Sequence, residues 1–233
     1  MDSNLIIRIS NELGNQLFMY ASAFAIAKKI NRNLFIDNET AFESHKNFSK
    51  YVLNKFNVTS SIAPDKYKFK SLSGYIKRKF LIRIDQFRKK KNFYVEKKDV
   101  NKNSIFNNSY ENQNFNNNLY MEGYFESEKY FLDYKNLIIN EFKFNNEDKY
   151  QNNYFFNDIN KSNSVGLCIR QNRFIEGKDN NNELNRKKSW NYTLEQIEYI
   201  NKSVPIIKSK VNDAKFYLWS NDFKNIESNM FNF

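Results

Sequence analysis

The segment from Asn4 to Asp37 constrains the fold more than any other part of the chain. Its isoleucine-rich start, Asn4 to Ile9, is typical of a buried strand. A loop at Ser10 to Gly14 precedes a helix predicted from Asn15 to about Ile30, and Asn33 to Asp37 gives a second strand. Because this helix is apolar on almost every side, we expect it to pack on both sides and to approach a sheet closely. The strand–helix–strand order is a βαβ unit, which implies a parallel sheet.

The same order returns near the end of the chain. Val165 to Ile169 predicts a strand, Tyr192 to Asn201 a helix, and Lys215 to Trp219 another strand. The polar, asparagine-rich stretch from Asn145 to Asn163 is the best candidate for a domain boundary. We therefore predict an α/β protein with two Rossmann-like units, residues 1–150 and 151–233. Since a complete nucleotide-binding domain needs on the order of 100 residues or more, the second unit is expected to be incomplete.

The middle of the chain gives weaker signals. The asparagine-rich stretch from Asn101 to Asn118 predicts a long loop. An apolar run at Leu119 to Met121 leads into Gly123, and a helix is predicted from about Glu126 to Asn140.

Composition excludes several classes of protein. Five Gly and two Pro in 233 residues are too few for a sandwich or barrel with many tight turns. A single cysteine, Cys168, excludes a disulfide framework, and with a single histidine, His45, it excludes a zinc site of the usual kind. The N-terminus lacks a signal-peptide pattern, and no run of about 18 apolar residues is present. We therefore expect a cytoplasmic protein.

The chain is basic, with 37 Lys and Arg against 26 Asp and Glu and a net charge of +11. Nucleic acid, an anionic membrane surface and an anionic small substrate are all compatible partners. The chain is also rich in Asn, Lys, Ile, Phe and Tyr, which have AT-rich codons, so genome composition explains part of the basicity.

The most basic stretch runs from Lys66 to Lys98. The apolar residues at roughly helical spacing within it are Phe80, Leu81, Ile82, Ile84 and Phe87. One interpretation is a solvated helix face above a core contact. Another is peripheral contact with an anionic inner membrane through Lys77 to Lys91. The rival from a different class is a nucleic-acid interface that uses the same cations and aromatic rings.

Familiar phosphate-binding and nucleophile motifs are absent from the sequence, as is an Asp-x-Asp pair after a strand. An enzyme acting on a nucleotide would therefore neutralise phosphate charge with side chains and backbone amides rather than with Mg²⁺. The first candidate site is Gly14, Asn15 and Gln16, where the first strand passes into the first helix. Ligands of open α/β sheets bind at such strand ends, and helix N-termini attract anions. The alternative is that Asn15 simply caps the helix.

Two further candidates follow strands in the second unit. Arg170 comes directly after Val165 to Ile169, where a guanidinium can form paired hydrogen bonds to a phosphate. Ser220, Asn221 and Asp222 end the next strand, and a carboxylate there can accept both N–H groups that identify guanine. The alternatives are a surface arginine and a turn or helix cap.

Four blocks of sequence resemble glycosyltransferase family 11, the bacterial α-1,2-fucosyltransferases. GNQLFMYASAFAIA at Gly14 to Ala27 is similar to the family's GNQLFQYAxAxxLA, and MEGYFESEKYF at Met121 to Phe131 to its GYFQSEKYF. VGLCIRQNRF at Val165 to Phe174 stands in the place of VxVHIRRGDY, and FYLWSNDF at Phe216 to Phe223 resembles FxxFSDDI. The blocks occur in the family's order over nearly the whole chain, and the last two are degraded.

The resemblance implies a GT-B fold of two facing Rossmann-like domains, with residues 1–150 on the acceptor side and residues 151–233 binding the nucleotide sugar. It implies GDP-fucose as donor, and a galactose-type hydroxyl of a bacterial surface glycan or lipid-linked oligosaccharide as acceptor. Transfer would proceed with inversion, with no cofactor and no obligatory metal, and without a nucleic-acid partner. The family's later NSSFSWW-type block has no counterpart before Phe233, which again predicts an incomplete second domain. The alternative to an active enzyme is therefore a truncated, inactive glycosyltransferase fragment.

Carried over by position, the resemblance gives each candidate residue a role. Arg170 would hold the donor diphosphate, Ser220, Asn221 and Asp222 would lie near the guanosine, and Gly14, Asn15 and Gln16 would line the cleft. Cys168 stands where the family has His, Gln171 where it has a second Arg, and Arg173 where it has Asp. Asn11 and Glu12 stand where the family has glycine. The candidates for the general base are Glu176 and Asp179 in the loop after Arg170.

Overall fold

The structure is a computed structural model, which describes residues 3–43, 49–97, 105–145, 153–175 and 182–233. The chain is an α/β protein with two separate parallel sheets. It divides into two compact units, Met1–Asn146 and Glu147–Phe233, which are described in turn. Among the described residues, no helix is both long enough and apolar enough to cross a bilayer.

The first unit is built on a five-stranded parallel sheet in the order β3-β2-β1-β5-β4. Its strands are β1 (Asn4–Arg8), β2 (Asn33–Asp37), β3 (Ser61–Ile62), β4 (Lys91–Val95) and β5 (Phe115–Glu122). Its helices are α1 (Leu13–Lys29), α2 (Ser71–Asp85) and α3 (Lys135–Glu141). The strand–helix–strand prediction for the N-terminus and the parallel sheet that it implies are confirmed.

Helix α1 is buried without interruption from Met19 to Ala27. One side packs on β1 through Leu5 and Ile7. The opposite side meets aromatic residues from later segments, among them Phe56 and Phe125. A helix enclosed in this way needs apolar residues around its whole circumference, which the sequence supplies. The prediction of packing on both sides is confirmed.

Helix α2 covers the other face of the sheet. Leu81 and Ile82 pack on a small cluster formed by Ile6, Phe93 and Tyr120. Sheets with helices on both faces bury their central strands on both faces, which explains the continuous apolar run of β1.

The structure corrects two predictions for the middle of the chain. The loop predicted over Asn101 to Asn118 ends earlier, because β5 begins at Phe115 and pairs with both β1 and β4. Asparagine is a poor strand former, so tertiary pairing overrides local preference here. The helix predicted from Glu126 is replaced by two 3₁₀ turns, Glu128–Tyr130 and Leu132–Tyr134, ahead of α3.

The second unit contains α4 (Tyr154–Lys161), β6 (Asn163–Ile169), α5 (Glu183–Lys208) and β7 (Ala214–Ser220). Strands β6 and β7 pair in parallel from Asn163 opposite Ala214 to Ile169 opposite Ser220. Helix α5 packs on one face of the pair through Ile197, Ile200 and Val204. The second βαβ unit is therefore confirmed, with a helix that begins nine residues before the predicted Tyr192.

The two glycines Gly123 and Gly14 provide a matched test of the fold. A Cβ at Gly123 would overlap the Cβ of Glu96 and come within 2.9 Å of the Phe125 ring, and the residue has a φ of +156°. At Gly14, in the first turn of α1, no atom apart from the neighbouring residues and backbone of its own helix lies within 4 Å of such a Cβ. We expect Gly123→Ala to lower the free energy of unfolding by about 2 kcal/mol or more. Gly14→Ala should be neutral or stabilising by about 0.5 kcal/mol. Urea unfolding of both variants measures the difference, and equal effects would contradict the geometry.

Candidate functional site

The first candidate site lies at the start of α1, where the structure corrects the capping role considered for Asn15. The helix begins at Leu13 with Glu12 at the capping position, so Asn15 is not the N-cap but lies in the first turn. The reason is the sharp turn at Asn11, whose φ of 61° carries the chain from β1 directly into the helix. Asparagine tolerates this left-handed conformation better than most residues. Asn11 also stands where the sequence resemblance expects a glycine, the residue best suited to a positive φ.

Gln16 is completely buried, and both ends of its amide are used by the backbone. Its Nε2 donates to the carbonyl oxygens of Asn11 and Lys50, each at 2.7 Å, and its Oε1 accepts from the Val52 N–H at 3.0 Å. In the structure Gln16 therefore joins the loop after β1 to the segment around residue 50, and its buried amide does not face a ligand.

Gly14 and Asn15 are the accessible part of this site. The Asn15 Nδ2 donates to the Glu126 carboxylate at 3.4 Å, and the Asn11 Nδ2 donates to the Tyr124 hydroxyl at 2.8 Å. Both partners lie just beyond β5, in the block from Met121 to Phe131. The structure thus brings the two best-matching sequence blocks together at one edge of one sheet.

A partly buried charge cluster at the carboxyl ends of β1 and β5 was missed by the sequence analysis. The Glu122 carboxylate pairs with Arg8 at 3.1 Å and with Arg78 of α2. Burial by itself would raise the pKa of Glu122, but the guanidinium groups of Arg8 and Arg78 outweigh it and hold that pKa below its usual range. Arg78 belongs to the stretch predicted to be a solvated basic face, yet it is 4% exposed. A lone Arg in a basic run carries no local signal of this partner.

Asp37, at the carboxyl end of β2, is also fully buried. Its carboxylate accepts the N–H groups of Glu39 and Thr40, the Thr40 hydroxyl, and the Tyr120 hydroxyl at 2.6 Å. Burial, together with the Asp37 charge, raises the pKa of Tyr120 far above its usual range, so Tyr120 stays a neutral donor. This carboxylate organises the loop after β2.

In the second unit, Arg170 is held at the end of β6 by a residue that the sequence analysis missed. The Gln196 Oε1 accepts from the Arg170 N–H at 2.9 Å, and the Gln196 Nε2 donates to the Arg170 carbonyl at 3.1 Å. Arg170 is exposed while its backbone is fixed to α5 in this way. Its guanidinium therefore extends from a defined backbone position.

Gln171 and Asn221 join the two strand ends. The Asn221 amide accepts from the Gln171 N–H at 2.8 Å and donates to the Gln171 carbonyl at 3.2 Å. The buried Gln171 side chain donates in turn to the backbone carbonyls of Asp222 and Lys224. Both side chains therefore hold the backbone of the loops. For Asn221 this agrees with the alternative interpretation of the sequence, in which the residue belongs to a turn.

Ser220 and Asp222 form a compact turn after β7. The Ser220 hydroxyl donates to the Asp222 carbonyl, and Asp222 Oδ1 accepts from the Lys224 N–H at 2.9 Å. Since Ile169 and Ser220 are partners in the ladder, this turn lies at the same edge as Arg170. Arg170, Ser220, Asn221 and Asp222 are thus assembled in one place.

The remaining predicted residues divide into exposed and undescribed positions. Cys168 is an exposed free thiol on the face of β6 opposite to Leu167 and Ile169. Arg173 is exposed, one residue after Asn172, which has a φ of 58°. Glu176 and Asp179, the general-base candidates, lie outside the described residues. Within the described ranges, no group of three or more His, Cys, Asp or Glu side chains is placed to hold a metal ion.

No protein-family model matches the chain, and no characterised protein matches it by sequence. Among solved structures, the chain is similar to NodZ α-1,6-fucosyltransferase soaked with GDP-fucose, at 14% identity and a TM-score of 0.47, over 95% of this chain and 72% of that one. It is similar to fucosyltransferase NodZ from Bradyrhizobium at 12% identity and a TM-score of 0.44, over 95% and 73%. It is also similar to NodZ α-1,6-fucosyltransferase co-crystallised with GDP, at 14% identity and a TM-score of 0.42, over 95% of this chain and 73% of that one.

The two ion pairs that Glu122 forms with Arg8 and Arg78 make the stability of the fold depend on pH in the acid range. Because the pKa of Glu122 is lowered on folding, its stabilisation is complete above the unfolded value of about 4.3 and is lost as pH falls through the folded value. Glu122→Gln leaves a buried guanidinium facing an amide N–H, so we expect a loss of about 3 kcal/mol at pH 7. The loss should shrink as pH falls below about 4.3 and on through the lower folded pKa, where wild-type Glu122 itself becomes protonated.

Urea unfolding at neutral and acid pH checks this expectation. The control is Glu198→Gln, which removes an exposed pair with Lys202. That change should leave stability almost unaffected at either pH, because an exposed ion pair contributes little. A Glu122→Gln cost that is the same at both pH values would contradict the ion-pair assignment.

Proposed function

We propose that the chain is a glycosyltransferase that takes fucose from GDP-fucose and binds this donor at the carboxyl ends of β6 and β7. The observation that carries the proposal is the assembly of Arg170 with the Ser220–Asp222 turn at a single strand edge. Such an edge is where open α/β sheets bind nucleotides. The four sequence blocks that resemble α-1,2-fucosyltransferases support the same donor.

Arg170 would stabilise the leaving GDP. As the bond between fucose and phosphate breaks, negative charge grows on the diphosphate, and a guanidinium can pair with two phosphate oxygens at once. The Gln196 hydrogen bonds to the Arg170 backbone reduce the freedom lost when the side chain binds. Arg173 would add a second positive charge in the same loop. No metal and no cofactor is part of this proposal.

Asp222 would identify the base. A carboxylate can accept the two adjacent N–H groups of guanine, whereas adenine lacks this donor pair. In the structure Asp222 Oδ1 already accepts the Lys224 N–H, an arrangement that fixes the orientation of the carboxylate. Ser220 and Asn221 would act mainly by holding this turn in place.

The acceptor would be a galactose-type hydroxyl of a bacterial surface glycan or lipid-linked oligosaccharide, and the product an α-1,2 linkage formed with inversion. The accessible residues Gly14 and Asn15 would contact it. A general base must take the hydroxyl proton, and the proposed candidates are Glu176 and Asp179. In this proposal Gln16 acts by positioning the loop after β1, because its amide is fully hydrogen-bonded to backbone.

Arg170→Ala tests the donor site. We expect loss of GDP-fucose turnover by at least about two orders of magnitude, since one charged transition-state contact contributes roughly this much. The fold should be retained, because the Arg170 side chain is exposed and its backbone contacts remain. Release of GDP is the measurement, and Lys187→Ala on the exposed surface of α5 is the control. Unchanged turnover in Arg170→Ala would refute the assignment.

Asp222→Asn tests base recognition with little disturbance of the turn, since an asparagine Oδ1 can still accept the Lys224 N–H. We expect GDP to raise the melting temperature of the wild type more than ADP does, and this preference to disappear in Asp222→Asn. Loss of a hydrogen bond to a charged group corresponds to roughly tenfold to hundredfold weaker GDP binding. Equal shifts with GDP and ADP in the wild type, or a larger shift with a short oligonucleotide, would contradict the proposal.

A further inference from the structure

The rotation of α2 about its axis is fixed by two polar contacts on its inner side. Arg78 pairs with Glu122 on the sheet. The Asp85 carboxylate accepts the N–H groups of Asn92 and Phe93 at 2.9 and 3.0 Å, and also the Asn92 side chain. With these contacts made, the opposite side of the helix points away from the first unit.

That outward side carries a row of large apolar residues. Leu72, Ile76 and Phe80 follow one another at intervals of four residues and are 75%, 59% and 61% exposed. Residues at this spacing lie above one another on a helix face. Phe87, in the turn after α2, is 89% exposed. Of the apolar residues expected near a core contact in this stretch, Leu81 and Ile82 pack on the core, whereas Phe80 and Phe87 are exposed.

Cations border this row, and acids are missing from it. The exposed cations of the helix and the turn after it are Lys77, Lys79, Arg83, Arg88, Lys89 and Lys90. From Ser71 to Tyr94 the only acidic residue is Asp85, which is 3% exposed and used by β4. Three acids lie near the start of α2. Glu39 and Asp65 are paired with Lys68 and Lys70, and the Glu43 carboxylate accepts the Ser71 N–H at the first residue of the helix.

We propose that this face, Leu72 to Lys90, docks the protein on an anionic lipid bilayer. The helix lies along the membrane surface, with Leu72, Ile76, Phe80 and Phe87 reaching the boundary between headgroups and acyl chains. The bordering cations contact lipid phosphates. An amphipathic helix with cations beside a hydrophobic face is the usual element of interfacial binding.

The combination of features favours lipid over other occupants of the same face. A nucleic acid would use the cations but would leave the aliphatic Leu72 and Ile76 in water. A second protein copy would bring an equally cationic face against this one, which like-charge repulsion opposes. An anionic bilayer satisfies both the apolar row and the charge. The inference does not depend on the proposed transfer reaction.

Sedimentation with lipid vesicles tests the proposal on the full chain. We expect binding to vesicles of phosphatidylcholine mixed with phosphatidylglycerol, weak binding to phosphatidylcholine alone, and loss of binding as salt is raised. Replacing Leu72, Ile76 and Phe80 together by Ser should lower the partition coefficient by roughly tenfold or more. Lys77→Glu with Arg83→Glu should lower it by a similar factor.

Matched controls separate docking from general stickiness or unfolding. Leu184→Ser with Tyr199→Ser removes two apolar side chains of α5 that are 74% and 72% exposed, and should leave binding unchanged. All substituted residues are exposed, so melting temperatures should stay near that of the wild type. Phe87→Trp provides an independent reading, because an indole that enters the interface shifts its fluorescence to the blue and is quenched by brominated lipid.

Several results would overturn the inference. They are equal binding to both vesicle types, unchanged binding of the triple Ser variant, and no change in Phe87→Trp fluorescence on vesicles. A wild-type dimer in solution that the triple Ser variant dissociates would assign the face to a second copy. The face would be assigned to nucleic acid by a different pair of results. A short oligonucleotide that carries the same total negative charge as the vesicles would displace the protein from them, and the apolar substitutions would leave binding unchanged.

Discussion

The enclosure of α1 is the constraint on which the rest of the first unit depends. Nine consecutive residues from Met19 to Ala27 are removed from water, so every polar group among them needs a partner inside the protein. The Tyr20 hydroxyl donates to Glu141 at 2.5 Å, and the Ser22 hydroxyl donates to the Phe125 carbonyl at 3.3 Å. These bonds join α1 to α3 and to the turn after β5, so burial of the helix fixes distant segments.

Buried carboxylates and amides serve a second purpose in both units, because they hold the irregular segments at the strand ends. Glu96 accepts the N–H groups of Tyr124 and Phe125, and Glu141 accepts the Thr59 N–H and hydroxyl. Gln16 and Gln171 do the same with neutral amides. A buried polar side chain is costly unless its hydrogen bonds are made, so these residues specify particular loop conformations. The candidate site residues stand on loops that are ordered in this way.

The strand ends and the outer face of α2 show opposite uses of charge. At the edge of the first sheet, Arg8 and Arg78 neutralise the partly buried carboxylate of Glu122. On the outer face of α2, cations stand beside exposed apolar residues with no acid between them. The first arrangement stabilises the fold. The second leaves most of its apolar surface exposed to water, which is why we assign it to an external partner.

Most of the regular elements could be predicted from local pattern. The N-terminal βαβ unit and the pair β6 and β7 follow from short apolar runs around a helix, and their parallel pairing follows from connection length. Strands β4 and β5 were harder, because Lys91 to Val95 lies in a basic stretch and β5 begins among asparagines. Their pairing energy comes from neighbours far away in sequence, which no local window contains.

In the candidate site, too, some features follow from local sequence and others depend on tertiary packing. The sequence by itself determined which residues follow the strands, and therefore that Arg170 and Asp222 share an edge. Only the tertiary structure decided that Gln16 and Gln171 are fully engaged with backbone, that Gln196 holds Arg170, and that Arg78 is buried against Glu122. It also decided which side of α2 faces water. The physical reason is that strand order follows from local periodicity, whereas the partner of a polar side chain depends on which distant backbone groups lack one when the chain packs.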